Sequence, residues 1–286
     1  MRFILTILLF LSVASQGQII NASAPYRPLG CSGLLLDCVP NGVGAYSLRK
    51  IKTSYSGNCI RVRRSSDNTE QDIGFTASGD LDTATLKTFV GANNGFVVTW
   101  YTQEGSNNAT QTTNALQPRI ITAGTVLRVN GKPTILFDES IPTGLVFTAT
   151  TYTHTAIVAR STTIVLVNYV LTNTSVGLYW SGTAGDVTGI GGFDGTNVRN
   201  STTENTNINV AFFSMRSSSL FITVNGGSES NTGAFATSLS PTRIGGRGNL
   251  GISHTGNISE IIMWNSNVSG SSSTVLSNIN SYYSIY

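Results

Sequence analysis

The stretch that decides the fold class is residues 220–226, Leu220-Phe221-Ile222-Thr223-Val224-Asn225-Gly226. Aromatic and β-branched side chains favour an extended strand, and Asn-Gly at the end of such a run is typical of a hairpin turn. Runs of the same kind recur at residues 59–63, 95–101, 133–137, 155–159, 163–167 and 258–264. Because turn residues separate these runs and no helical crossovers alternate with them, the sequence predicts an all-β sandwich of two antiparallel sheets.

The predicted strands also indicate which side chains fill the interior. We expect one core that contains Ile60, Val62, Phe96, Val98, Trp100, Ile157, Phe221, Ile262 and Trp264. Glu260 alternates with Ile258 and Ile262, which predicts a solvated position on the opposite strand face. Two segments have helical spacing instead: residues 82–90, capped by Asp82, and residues 271–283. We therefore expect one or two short helices beside the sandwich.

The composition is poor in charge. Of the 286 residues, 40% are hydrophobic and only 11% are charged, and the formal net charge is +3. The apolar share is large enough for one sizeable domain. So small a net charge gives no electrostatic case for nucleic-acid binding, and no nucleic-acid partner is expected.

The N-terminal residues have the pattern of an export signal. Arg2 precedes an apolar run, and small residues follow that run, so residues 1–17 are predicted to be a signal peptide. Residues 18–44 are predicted to form an extended leader, and residues 45–286 the β-sandwich domain. We expect a secreted protein, and no later stretch has the composition of a membrane span.

Few side chains have the spacing of a catalytic or metal site. His154 and His254 are the only histidines, and neither fits a Ser-His-Asp or zinc pattern. No cofactor is expected, with a calcium site at Asp67, Asn68 and Asp72 as the alternative.

A basic cluster precedes those acidic residues along the chain. Arg61 and Arg63 share one predicted strand face, and Asp67, Glu70 and Asp72 follow within one hairpin length. Cross-strand ion pairing is the expected role of the cluster. Binding of an acidic glycan is the alternative.

Several further stretches carry a family signature: residues 45–49 (AYSLR), 60–75 (IRVRRSSDNTEQDIGF), 96–111 (FVVTWYTQEGSNNATQ), 129–133 (VNGKP), 243–246 (RIGG) and 258–264 (ISEIIMW). Together they resemble the catalytic domain of the α-L-arabinofuranosidase B family. The resemblance implies a concanavalin A-like jelly-roll sandwich and a carbohydrate or glycosylated surface as partner. Similar stretches also occur in bacterial and phage surface proteins, which implies a cell-surface or virion-associated location.

The family's functional residues carry over unevenly. Its general acid is an Asp directly after Gly-Gly, and here Arg247 follows Gly245 and Gly246. The best match to the segment of its nucleophilic Glu is residues 175–179, which hold no carboxylate. Cys31 and Cys38 match a family cysteine pair, which implies a disulfide between them. Cys59 is expected to be a packed free thiol.

Two functions follow from these observations. The first is a lectin-like module that binds carbohydrate, or a surface or virion structural part, with Tyr101, Gln103, Trp180 and Asp186 as the sugar-binding residues. The alternative is an arabinofuranosidase-like glycoside hydrolase whose carboxylates have moved, with Asp186 and Asp194 as weak candidates. A retaining glycosidase needs two carboxylates about 5 Å apart, so the sequence favours the non-enzymatic function.

Overall fold

The computed structural model describes residues 33–138, 143–163, 168–180, 189–201, 206–247 and 252–286. Most of the strand predicted at residues 163–167 therefore lies outside the described residues. No helix in these ranges is long and apolar enough to cross a membrane.

Short strands make up most of the described chain. The first group is β1 (Gly42–Ser47), β2 (Ile60–Arg64), β3 (Glu70–Ile73), β4 (Gly95–Trp100), β5 (Ala109–Thr110), β6 (Arg119–Thr122), β7 (Thr125–Val126) and β8 (Arg128–Val129). The second is β9 (Lys132–Pro133), β10 (Ile135–Phe137), β11 (Leu145–Val146), β12 (His154–Ser161), β13 (Tyr169–Thr172), β14 (Gly177–Trp180), β15 (Ile190–Phe193) and β16 (Val198–Asn200). The third is β17 (Asn209–Arg216), β18 (Ser219–Val224), β19 (Ser230–Ala234), β20 (Arg243–Ile244), β21 (Gly246–Arg247), β22 (Ile252–Ser253) and β23 (Gly256–Trp264).

Two antiparallel layers can be followed through the strand pairs. The front sheet has the order β3-β2-β4-β5-β11-β20-β13-β14-β15-β16. The back sheet has the order β23-β12-β17-β18-β19, with β1 and β10 pairing along the other edge of β23. Strand β6 pairs with both β4 and β10, so it joins the two layers. The prediction of an all-β sandwich of two antiparallel sheets is confirmed.

The main core lies between these sheets. Ile60, Val62 and Trp100 from the front sheet pack in one apolar cluster with Ile157 and Ile261 from the back sheet. All five side chains are fully buried. Burial on this scale is the largest favourable contribution to folding.

Three helices accompany the sheets: α1 (Leu35–Cys38), α2 (Thr83–Val90) and α3 (Ser272–Tyr283). The Asp82 carboxylate caps α2 by accepting a hydrogen bond from the Thr85 N–H at 3.0 Å, as predicted. Helix α3 agrees with the helix predicted at residues 271–283. It buries Val275, Leu276 and Ile279, which lie on one helical face.

Helices α1 and α3 create a second apolar layer on the outer face of the back sheet. Ile262 and Trp264 belong to this layer, together with Leu35, Leu36 and Ile279, and not to the core between the sheets. The predicted single core is corrected accordingly, and Phe96 and Phe221 are only partly buried. The cause is that α3 covers one face of β23, so that both faces of this strand are buried.

Glu260 is the clearest correction, because it is fully buried and not solvated. A register irregularity in β12 between Val158 and Ala159 interrupts the simple alternation along β23. Arg49 donates to both Glu260 oxygens, at 2.8 and 3.0 Å, and the Ser47 hydroxyl donates at 2.7 Å. The carboxylate is therefore buried together with its cation.

The predicted leader also differs in its last part. Leu35 and Leu36 of α1 are buried in the second apolar layer, and β1 begins at Gly42. Residues 35–44 thus pack as part of the sandwich and are not an extended leader. Cys59 is free and buried, as predicted. Cys31 lies outside the described residues, so its disulfide with Cys38 stays a prediction.

Candidate functional site

A row of side chains crosses the outer face of the front sheet. In an antiparallel pair, residues directly opposite each other project to the same side. The cross-strand partners form one continuous series, named here the front row: Asp72, Arg61, Thr99, Thr110, Val146, Arg243, Thr172, Gly177 and Phe193.

The direction of the front row follows from its chain neighbours. Leu145, Ile244 and Leu171 each adjoin a row residue and pack in the core between the sheets. Since successive side chains of a strand point to opposite faces, the row points away from that core. Thr110 is exposed, and Val146, the last residue of β11, is 42% exposed, which is unusual for a large apolar side chain. The exposed Val146 therefore lies between the exposed Thr110 and the partly buried Arg243, whereas Thr99 and Thr172 of the row are buried.

One end of the front row is a polar cluster around Tyr101. The Tyr101 hydroxyl donates to Asp72 Oδ1 at 2.8 Å. Arg61 donates to Glu70 Oε2 at 2.7 Å and lies 3.5 Å from Asp72 Oδ2. Partial burial and the hydrogen bond to Asp72 raise the pKa of Tyr101, so its hydroxyl stays a donor at neutral pH. These contacts hold a phenol, a guanidinium and two carboxylates together at the sheet edge.

The middle of the row carries a second cation. Arg243 is partly buried, and burial lowers the pKa of its guanidinium, which nevertheless remains charged at neutral pH. A Cβ built on Gly144 would lie 2.6 Å from Arg243 Nε, so glycine at this position makes room for the guanidinium. Arg243 and Val146 are direct cross-strand partners.

A small aromatic site adjoins the front row. Arg63 lies 4.8 Å and Arg119 lies 5.7 Å from the centre of the Phe96 ring, distances at which cations attract an aromatic face. Arg63 is held by hydrogen bonds to Gln117 and Asn68. The outer face of this sheet thus combines aromatic, cationic and hydroxyl groups.

The three predicted sugar-binding residues that the structure describes do not come together. Gln103 is 3% exposed. Its side-chain amide is hydrogen-bonded to the backbone of Ile51 and Arg49, so it stabilises the segment that contains these two residues. Trp180 is fully buried and packs against Phe213. Neither side chain is available to a ligand, and Asp186 lies outside the described residues. Tyr101 alone lies at an accessible face.

The second candidate acid, Asp194, holds a turn. Its carboxylate accepts hydrogen bonds from the backbone amides of Thr196, Asn197 and Ala236 at 2.6 to 2.9 Å. Burial opposes ionisation, but these hydrogen bonds outweigh it and hold the pKa of Asp194 below its usual value. A general acid needs the opposite shift.

The positions matched to the family's two carboxylates lie in or next to strands. Arg247 is the last residue of β21, Ser175 and Val176 precede β14, and residues 177–179 belong to β14. Tyr179 in β14 is buried, and its hydroxyl donates to the Arg199 carbonyl at 3.1 Å.

The predicted calcium ligands are engaged by cations instead. Arg64 donates to both Asp67 oxygens, at 3.1 and 2.6 Å, and Asn68 Oδ1 accepts from Arg63 at 2.7 Å. Asp72 is held by Arg61 and Tyr101. The described residues contain no cluster of three or more His, Cys, Asp or Glu side chains able to hold a metal. The predicted cross-strand ion pairing between Arg61 and β3 is confirmed.

One contact was missed by sequence reasoning and resembles a catalytic pair. Ser214 Oγ lies 2.9 Å from His154 Nε2, and Thr153 Oγ1 lies 2.8 Å from Nδ1. Both Ser214 and His154 are buried. Burial lowers the His154 pKa to about 4, which makes it a poor base, so the pair is structural.

One part of the chain matches a known protein family. Residues 38–131 match the family model described as "Alpha-L-arabinofuranosidase B, catalytic". No match was found among curated protein sequences.

Solved structures match over most of the chain. One is a GH54 α-L-arabinofuranosidase soaked with a cyclic sulfate inhibitor, with TM-score 0.64, 19% identity, and coverage of 86% of this chain and 64% of that chain. A mutant of a GH54 α-L-arabinofuranosidase soaked with 4-nitrophenyl α-L-arabinofuranoside gives the same four values. An arabinofuranosidase complexed with arabinofuranosyl-α-1,2-xylobiose has TM-score 0.62 and 19% identity, covering 83% of this chain and 62% of that chain.

The fold and these matches define a β-sandwich like that of the matched arabinofuranosidase structures, and the jelly-roll prediction is confirmed. Over residues 38–131 the chain is similar to the α-L-arabinofuranosidase B catalytic domain, as the stretches within residues 45–133 predicted. It spans less than two thirds of the length of the matched structures.

Proposed function

We propose that this chain is an exported, lectin-like module that binds arabinofuranose-containing carbohydrate on the front row. The observation that carries the proposal is the row itself, with the exposed Val146 between the Tyr101–Asp72–Arg61 cluster and Arg243. Sugars are bound by such combinations, because their C–H faces pack on apolar groups while their hydroxyls bond to charged and hydroxyl side chains. The arabinofuranosidase-like fold supports arabinofuranose as the sugar.

The pattern of residues 1–17 supports export, and a cell-surface or virion-associated location belongs to the same proposal. The chemistry of the front row supports binding over hydrolysis. Its described carboxylate, Asp72, is hydrogen-bonded to Tyr101 and paired with Arg61.

Titration calorimetry with arabinofuranosyl-α-1,2-xylobiose tests the proposal. We expect saturable binding that weakens roughly tenfold or more in Val146→Asp, because a carboxylate would lose hydration under the sugar. Ser230→Asp is the matched control, since it places the same charge on an exposed strand position of the back sheet. Equal affinity of the two variants would show that the sugar does not bind on the front row.

The family match of residues 38–131 favours a second candidate, an arabinofuranosidase-like glycoside hydrolase with relocated carboxylates. Incubation with 4-nitrophenyl α-L-arabinofuranoside separates the two functions. We expect no release of 4-nitrophenol above background. Turnover that disappears in Asp186→Asn or Asp194→Asn would establish the hydrolase instead.

A further inference from the structure

A polar cavity lies on the outer, helix-covered side of the back sheet, away from the front row. It has a volume of about 360 Å³ and is lined by Val129, Asn130, Arg160, Thr206, Asn207, Ile208 and Ile285. This volume falls within the range of small-molecule sites. The cavity lies between the β8–β9 turn, the end of β12 and the C-terminal residues that follow α3.

Arg160 is the chemically distinctive residue of this cavity. It follows Ala156 and Val158 at alternate positions of β12, and those two residues face the second apolar layer. Arg160 therefore points to the helix-covered side of the back sheet. Its Nε atom is buried and has no hydrogen-bond partner among the residues that the structure describes. A buried donor without a partner is costly, so the group calls for an explanation.

The described surroundings of Arg160 supply no free acidic side chain. Among the lining residues that the structure describes there is no Asp or Glu. Glu260 lies on the same face of the back sheet, but Arg49 occupies both of its carboxylate oxygens. Within the described part of the lining, Arg160 is thus the only residue with a charged side chain, and its charge is positive.

The backbone around Arg160 is fixed tightly. The His254 Nε2–H donates to the Arg160 carbonyl at 3.1 Å. A Cβ built on Gly256 would lie 2.0 Å from the same carbonyl oxygen, so only glycine allows this approach. The backbone from which the Arg160 side chain projects is consequently fixed in the cavity wall.

We propose that this cavity binds one acidic sugar unit, a hexuronate, through a salt bridge between its carboxylate and Arg160. A planar guanidinium matches a carboxylate with two parallel hydrogen bonds. Thr206 offers a hydroxyl to the sugar hydroxyls, and Val129, Ile208 and Ile285 offer apolar surface to the ring. The site is independent of the front row.

Binding of simple sugars to the full-length protein tests this assignment. D-Glucuronate and D-galacturonate are the probes, D-glucose and D-galactose are their uncharged counterparts, and acetate supplies the carboxylate alone. We expect at least one uronate to bind saturably in the millimolar range, roughly tenfold tighter than its uncharged counterpart or acetate. Arg160→Gln should weaken that binding roughly tenfold or more, and Arg160→Lys should weaken it less.

Three further variants keep the test decisive. Arg64→Gln removes a surface arginine that is paired with Asp67 and should leave uronate binding unchanged. Thr206→Trp fills the cavity from an exposed position, so it should block uronate binding even if Arg160→Gln does not fold. Val146→Asp should bind the uronate normally, which separates this site from the front row. Unchanged affinity in Arg160→Gln or Thr206→Trp, or acetate binding as tightly as the uronate, would overturn the proposal.

Discussion

At the scale of single residues, the Arg49–Glu260 pair shows how context overrides alternation. Strand periodicity places Glu260 on a solvated face, but Tyr283 of α3 covers that face and its hydroxyl lies 3.4 Å from Glu260 Oε2. Arg49 is further enclosed by the ring of Tyr282 at 5.0 Å. A charge is tolerated in such a place only because its counter-charge is buried with it.

Removing one partner of this pair should be costly. We expect Glu260→Ala to lower the free energy of unfolding by about 3–5 kcal/mol, because it leaves the Arg49 cation buried without its partner. Glu70→Ala breaks the exposed pair with Arg61 and should cost about 1 kcal/mol or less. Urea denaturation of both variants measures the difference. Losses of equal size would contradict the structural role assigned to the buried pair.

At the scale of elements, the sequence predicts one of two neighbouring turns but not the other. The Asn225-Gly226 pair adopts the positive φ values, 50° and 68°, that its composition predicts. The two-residue turn between β17 and β18 instead uses Ser217 and Ser218, at φ 50° and 53°. Serine rarely adopts this conformation, so composition gave no signal for the tighter turn.

Substitutions in the Ser217-Ser218 turn should therefore be able to stabilise the protein. We expect the double substitution Ser217→Asn and Ser218→Gly to raise the free energy of unfolding by about 0.5–1 kcal/mol, since Asn-Gly tolerates positive φ at both positions. Thermal unfolding measures the change. Ser106→Gly, at an exposed position without positive φ, should give no gain. Destabilisation by the Asn-Gly turn would show that the serine side chains have a role of their own.

At the scale of the whole molecule, the sequence predicts the sandwich but not the face proposed to bind carbohydrate. Local runs such as Gly95–Trp100 predict strands, and the strands define the fold class. The front row depends on which strands lie side by side, as when β11 brings Val146 between Thr110 and Arg243. That register is set by packing across residues far apart in sequence. Residue type alone indicates Trp180 and Gln103 as sugar-binding residues, but both side chains are buried.

The buried histidines give the folded molecule a characteristic pH dependence. Burial, aided at His154 by nearby Arg216, lowers the pKa of His154 and His254 from 6.5 to about 4. Between these values the unfolded chain takes up protons that the folded chain does not, so the free energy of unfolding should fall as pH drops from 6.5 to 4. The loss is at most about 3 kcal/mol per histidine, at about 1.4 kcal/mol per pH unit.

Urea denaturation across this pH range, with the double variant His154→Gln and His254→Gln, checks the assignment. The variant should show a shallower dependence between pH 6.5 and 4, whatever its absolute stability. An unchanged slope would mean that other groups cause the acid sensitivity.

The central claim is that carbohydrate binds on the outer face of the front sheet. A crystal structure of the protein soaked with arabinofuranosyl-α-1,2-xylobiose tests this most directly. We predict that the sugar lies over Val146, within hydrogen-bonding distance of at least one of Arg61, Tyr101 and Arg243. A sugar bound on another face, or an empty front row at a ligand concentration that saturates the protein in solution, would contradict the claim.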